Sequence, residues 1–132
     1  MLRPVLLILA IITSTIDGSA QAPSRNLQKE AAIWDQLEVV SPGLVETFKE
    51  ATTRMDQGNH QEAAALYQKV VDGAPEFDPA VRRLGTCLVL AGDAGRGLPI
   101  AEKAVALNRS PENLATMAQL LVFREPGKAV LP

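Results

Sequence analysis

His60 is the only histidine of the chain and stands two residues before Glu62, in the stretch GNHQEAAALYQKVVDGAP. An imidazole beside a carboxylate can ligate a metal or move a proton. On a helix, however, residues two apart diverge by about 200° and cannot share a ligand. A helix start reads better. Asn59 precedes the run and Glu62 follows three residues later, the spacing of a capping box. Asn59 is then expected to accept from the Glu62 backbone N–H while the Glu62 side chain returns to the Asn59 N–H, and His60 faces largely outward. Cys87 is the only cysteine and lies in the apolar stretch VRRLGTCLVLAG, where a buried, inert thiol is expected. One His and one Cys, 27 residues apart, do not supply a zinc ligand set, and a single Cys forms no intramolecular disulfide. Arg82 and Arg83 are the remaining pair with defined chemistry, since a guanidinium can hold a carboxylate through two hydrogen bonds.

Other reactive arrangements are missing from the pattern. GDAGRG, Gly92 to Gly97, is glycine-rich, but no strand precedes it and no Lys-Ser/Thr follows, so it reads as an inter-helix turn rather than a phosphate loop. Asp35 and Glu38 fall on a solvated helix face. No nucleophile elbow or dinucleotide fingerprint occurs, and no catalytic residue, cofactor or metal is expected. Thirteen Lys and Arg against 15 Asp and Glu leave a net charge of −2. That balance argues against a nucleic-acid or anionic-membrane surface.

The first residues, MLRPVLLILAIITSTIDGSAQAPS, run from a positive start through the apolar Val5–Ile12 to small and polar residues. This is the order of a secretory signal peptide, expected over 1–20. Cleavage after Ala20 is favoured, because a cut after Ala22 puts Pro23 next to the scissile bond. Export to the periplasm or outside the cell follows, the alternative being a tether through an uncleaved signal anchor. The apolar run is far shorter than the roughly 20 residues of a spanning helix.

The residues with chemistry must be held by helices. Aromatic residues make up 4% of the chain, so its core is built from small, interlocking Ala, Leu and Val side chains. A shift of 34 places Gly58 on Gly92, Ala63 on Gly97 and Val70 on Ala104. Ser41-Pro42, Asp78-Pro79 and Ser110-Pro111 each put a capping side chain before a proline at a first helical position, with spacings of 37 and 32. Val81, Leu84, Gly85 and Leu88 follow the i, i+3, i+4, i+7 spacing of one helical face, as do Ala63, Leu66, Tyr67 and Val70. Gly58 and Gly92 fall where a chain leaving a helix needs a left-handed residue. GRGLP is expected to delay the helix after Gly92 until Pro99 lies in its first turn. Upstream, Leu27, Ala31, Trp34 and Leu37 predict an added helix over about 26–39, with Trp34 docked on the first repeat.

These features resemble the tetratricopeptide repeat. Val81, Leu84, Gly85 and Leu88 occupy the first-helix positions of that family's motif, and Ala63, Tyr67, Val70 and Pro75 those of its second helix. The chain departs from it at Thr47 and Glu50, where bulky residues belong and Phe48 substitutes, at Ala101 in the aromatic place and at Arg109 in the proline place. In the third unit Leu114, Met117 and Ala118 come one residue early. The resemblance implies an all-α fold of helix-turn-helix units stacked as a short α-solenoid. The units are 42–75, 76–109 and an incomplete 110–132, preceded by a linker and helix over 21–41.

The resemblance also implies that the first helices of the units line a concave groove holding a protein or peptide partner. Its lining includes Phe48, Lys49, Thr52 and Met55, then Arg82, Arg83, Thr86 and Val89, then Thr116, Gln119 and Val122. Lys49, Thr52, Arg82, Arg83, Thr86 and Gln119 are the expected partner-binding residues. The arginines either hold a partner's carboxylate or are solvated or paired with Glu50 or Glu112. Two functions fit: a non-catalytic scaffold of an exported protein, or the N-terminal accessory region of a longer enzyme or envelope-assembly protein. GKAVLP, Gly127 to Pro132, resembles GRGLP, so the chain is expected to stop within the last unit's second helix and to self-associate through residues 111–124.

Overall fold

A computed structural model describes residues 24–124, so the expected signal peptide and the GKAVLP segment lie outside the described residues. Six helices follow one another: α1 (Leu27–Val40), α2 (Val45–Asp56), α3 (His60–Gly73), α4 (Asp78–Leu90), α5 (Ala94–Leu107) and α6 (Pro111–Arg124). No strand occurs among the described residues. The pairs α2–α3 and α4–α5 pack as helical hairpins, and α6 packs against α5 and α4.

The helices α2 and α4 end the same way. Gly58 and Gly92 take φ of +82° and +93°, the left-handed conformation that glycine adopts without a steric penalty. The turn then closes two backbone bonds: Gly58 N–H to the Met55 carbonyl and Asn59 N–H to that of Arg54, repeated from Gly92 to Val89 and Asp93 to Leu88. This pairing satisfies carbonyls that a helix end otherwise leaves unpaired.

That closure overturns the capping box. The Asn59 N–H is already donated to Arg54, so the Glu62 side chain has nothing to return to. The Asn59 side chain makes no capping bond, and Glu62 stands 3.6 Å from Arg54 Nε instead. His60 is half-buried rather than outward, with Nδ1 enclosed and unpaired. In the second hairpin the Asp93 carboxylate does cap, accepting from Arg96 N–H at 3.2 Å. This cap starts α5 at Ala94, so its start is not delayed, and Pro99 lies inside the helix. The proline is tolerated because it and Gly95, whose carbonyl it leaves without a partner four residues on, are both exposed to water.

Of the three expected Xaa-Pro caps only Ser110 acts as one, accepting from Asn113 N–H at 3.1 Å. Ser41 makes no capping bond and Pro42–Leu44 forms a short 3-10 turn before α2. Asp78 lies inside α4, where its carboxylate accepts from Asn113 Nδ2 at 2.9 Å.

The core runs through both hairpins. Phe48, Ala51, Tyr67, Val70 and Leu84 are buried together, with the Phe48 ring edge-on to Tyr67 at 5.5 Å and to Phe77 at 5.8 Å. The expected stripe Val81, Leu84, Gly85, Leu88 is buried throughout. A Cβ on Gly85 would lie 2.9 Å from the Gly97 carbonyl oxygen and the Ala101 nitrogen, so α4 and α5 cross backbone to backbone. Cys87 is buried, and burial pushes its thiol up to about 12.

In α6 the inward residues are Asn113, Met117 and Leu120; Leu114 and Ala118 are exposed, which corrects the third-unit register. Leu114, Leu121, Val122 and Phe123 form the surface on which the expected self-association would rest.

Candidate functional site

The first helices of the units, α2, α4 and α6, share one face, and α1 lies across it. Its polar contacts reach all three. Arg25, at its entrance, holds Asp56 at the end of α2 through Nε at 2.8 and 2.9 Å. Glu30 binds Arg83 of α4, and Lys29 stands 4.0 Å from Glu112 of α6. A helix touching three neighbours of one row must run over the surface that they form together.

The inward stripe of α1 is Glu30, Ile33, Trp34 and Leu37, the i, i+3, i+4, i+7 spacing of one face. Leu27, expected on that face, is 74% exposed. Asn26 caps the helix by accepting from the N–H groups of Gln28 and Lys29, both at 3.1 Å. Leu37 is fully buried in the main core, and Trp34 packs beside it with Lys49 Nζ 4.5 Å from its ring centroid, so the expected docking on the first repeat holds.

Arg83 is the centre of this arrangement. It is 6% exposed, which rules out its expected role as a free partner-binding guanidinium. It does hold a carboxylate at two points, but that carboxylate is Glu30: Nη1 donates to Oε2 at 3.0 Å and Nη2 to Oε1. Nη1 also donates to Thr52 Oγ1 at 3.0 Å, and the guanidinium lies 5.0 Å from the Phe48 ring centroid. Burial disfavours the charge on Arg83, but the hydrogen bond to Glu30 and the neighbouring Tyr67 and Glu30 outweigh it, and the guanidinium is held more firmly protonated than usual.

Thr52 Oγ1 lies 3.1 Å from the Phe48 carbonyl, to which its hydroxyl can donate. Its oxygen accepts from Arg83 Nη1 and stands 2.7 Å from the Tyr67 hydroxyl oxygen, a bond in which either oxygen can be the donor. Thr52 is therefore a buried link between helices and not a partner contact. Burial raises the Tyr67 hydroxyl above its ordinary value, partly offset by Arg83 and Thr52.

Arg82 points the other way. Its Nη1 donates to Asn113 Oδ1 at 2.9 Å, and its nearest carboxylate, Asp78, is 3.9 Å away. Neither expected partner is used: Glu50 stands beside Arg54 and Glu112 beside Lys29. Burial, with the Arg83 charge behind it, holds the Arg82 guanidinium below its usual value. Asn113 is fully buried and ties three helices, its two Nδ2 hydrogens shared among Asp78 and the carbonyls of Ala104 at 3.1 Å and Asn108 at 2.8 Å.

Beyond the N-terminal end of α1 a cleft of about 380 Å³ stays open on this face. Arg25, Met55, Arg82, Arg83, Thr86, Thr116 and Gln119 are among its lining residues, so Arg82, Thr86 and Gln119 are brought together as expected. Thr86 donates to the Arg82 carbonyl at 3.1 Å. Lys49 lies outside this cleft, on the other side of α1, against Trp34 and 3.6 Å from Glu46. Val89 is buried against Leu98 and Ala101, and Phe48 lies in the core; neither faces a groove. Among the described residues no group of three His, Cys, Asp or Glu gathers as a metal ligand set.

Compared with known proteins, the chain matches the family model described as tetratricopeptide repeat over residues 54–121, just over half of its length. No curated protein and no solved structure matches it.

Proposed function

The chain belongs to the tetratricopeptide repeat family, whose repeats are protein-interaction modules, and from that premise we propose a non-catalytic, exported scaffold. It takes a protein or peptide segment in the open cleft between α2, α4 and α6. One observation carries this reading. Of the three arginines lining the cleft, Arg25 and Arg83 already hold carboxylates, while Arg82 has none within hydrogen-bonding distance among the described residues. A charged guanidinium at the floor of a concave cleft, with donors to spare, suits an acidic side chain or a chain-terminal carboxylate. Thr86, Thr116 and Gln119 add shorter polar contacts around it. Export rests on the charged, apolar and small-residue order of residues 1–20.

The test is photo-crosslinking in the source cell from an amber-encoded probe at Gln119, with a second probe at Lys103 on the exposed side of α5 as control. A discrete partner trapped from Gln119, absent from Lys103 and lost on Arg82→Gln with helicity unchanged, supports the reading. Capture from Lys103 alone sinks it. N-terminal sequencing of the mature chain should find Gln21 first, and an intact Met1 in every cell fraction would refute a cleaved signal peptide.

A further inference from the structure

The sulfur of Met55 is approached by two hydrogen-bond donors, Arg25 Nη2 at 3.4 Å and the Tyr67 hydroxyl at 3.8 Å. A thioether sulfur is a weak acceptor, so both donors gain little from it. The residue is half-buried near the end of α2 and lines the open cleft of about 380 Å³ together with Arg82 and Gln119. Met117 is placed differently, packed against the apolar cluster of Val89, Leu98 and Leu120.

Oxidation turns this weak acceptor into a strong one. The sulfur lone pair attacks one oxygen of a peroxide and the O–O bond breaks. Sulfur loses two electrons and gains the oxygen, while the departing oxygen takes up the proton of the transferred one and leaves as water. The sulfoxide oxygen then extends from a sulfur that both donors already face, with the cleft beside it for room. Tyr67 has a single hydroxyl proton to place. Against a thioether at 3.8 Å, Thr52 at 2.7 Å is the better acceptor. Against a sulfoxide the preference reverses, and Thr52 turns its own proton from the Phe48 carbonyl to the Tyr67 oxygen. The Phe48 carbonyl keeps its bond within α2, and Thr52 Oγ1 still accepts from Arg83.

We propose that Met55 is an oxidation site in the wall of the cleft, its sulfoxide held by Arg25 and Tyr67, with the hydrogen bond between Tyr67 and Thr52 reversing when the sulfoxide forms. The co-reactant is a peroxide. A methionine oxidised inside a fold ordinarily disrupts it, because the new oxygen is buried without a donor. At Met55 two donors are already in place, so the chain stays folded in both states. The oxygen enters the cleft that is proposed to take the partner and makes one wall of it polar, so capture of the partner becomes sensitive to oxidant. That consequence rests on the cleft reading of function, whereas the sulfoxide and its hydrogen bonds need no partner.

Tyr67 is the only tyrosine of the chain, so its hydroxyl can be read without interference. The experiment treats the full chain with hydrogen peroxide and follows each methionine by peptide mass spectrometry. In parallel it records the tyrosine doublet of the Raman spectrum, which differs between a phenol that only donates and one that also accepts. Met55 should be converted before Met117, and the doublet should change in step with it. Met55→Leu, a swap of similar volume, should abolish that change. Thermal unfolding gives the second readout. Oxidation should move the melting temperature of the wild-type chain little, and by about 4–8 °C more in Tyr67→Phe, where one hydrogen bond to the sulfoxide oxygen is lost. Should Tyr67→Phe fail to fold, Arg25→Ala removes the other donor at a partly exposed site and should widen the loss in the same way. Conversion of Met117 first, an unchanged doublet once Met55 is fully oxidised, or equal melting shifts in wild type and variant overturns the proposal. A Gln119 crosslink indifferent to oxidant, with the doublet and melting results intact, would instead count against the cleft as the partner's site, so the two readings fail separately.

Discussion

Arg83 and Glu30 exchange the role of a partner contact for that of an internal ion pair, and their energetics follow from burial. With side chains only 7% and 6% exposed, removing one member strands the other in a poorly solvated site. Arg83→Ala or Glu30→Ala should each cost about 3–5 kcal/mol in chemical denaturation, while the double replacement Glu30→Leu/Arg83→Met should recover most of that loss. Additive losses would show that the pair is not coupled. A second residue-scale outcome concerns alkali. The folded Cys87 thiol is held up to about 12 by desolvation, against 9.0 ordinarily, and burial raises Tyr67 in the same sense. The unfolded chain ionises first, so this contribution is complete below about pH 9 and is lost as pH rises towards about 12. The melting temperature should fall across that window, and less steeply in Cys87→Ala. A thiol reagent should label Cys87 at pH 8 only as fast as the chain unfolds. Rapid native labelling would place the thiol at the surface.

At the scale of elements, the crossing of α4 and α5 and the helix ends are separable. Gly85→Leu places carbon where the Gly97 carbonyl and Ala101 nitrogen stand 2.9 Å from the ideal Cβ, both backbone atoms that cannot step aside. A cost of about 1–3 kcal/mol or more is expected, at about 4–8 °C of melting temperature per kcal/mol for a domain of this size. An unchanged melting temperature would mean the helices do not meet there. The caps give a finer contrast. Asp93→Ala removes a formed capping bond and should cost about 1 kcal/mol, whereas Asn59→Ala removes none and should cost less than about 0.5 kcal/mol. Equal losses would restore the capping box. These elements also show what the sequence revealed and what it hid. Glycine in a left-handed turn is a local requirement, and Gly58 and Gly92 announced theirs. The failure of the capping box was not local to Asn59 and Glu62, because the Asn59 N–H was consumed by Arg54 of the preceding helix. Glu30 was hidden for another reason: a carboxylate in an apolar register reads as a solvated residue until its counterion, 53 positions away, is known. Its one sequence trace was the spacing Glu30, Ile33, Trp34, Leu37, a more regular face than one beginning at Leu27.

At the scale of the whole molecule the repeats form a row, and stability in such a row comes from neighbours. Among the described residues α6 has α4 and α5 on one side and exposed Leu121, Val122 and Phe123 elsewhere, so its amides should exchange faster than those of α4. The face shared by α2, α4 and α6 is the feature that this row creates and that no single hairpin has. Half of it was legible in the order of the units, which put Arg82, Thr86 and Gln119 in one cleft. The other half was not, because nothing in a repeat pattern states that the helix before the repeats folds back across them. The most direct measurement is therefore hydrogen exchange of the full chain, alone and with the partner trapped from Gln119. The partner should slow exchange in α4 around residues 82–89 and in α6 around 116–120. Protection confined to α3 and α5 would contradict a partner seated in the cleft lined by Arg82, Thr86 and Gln119.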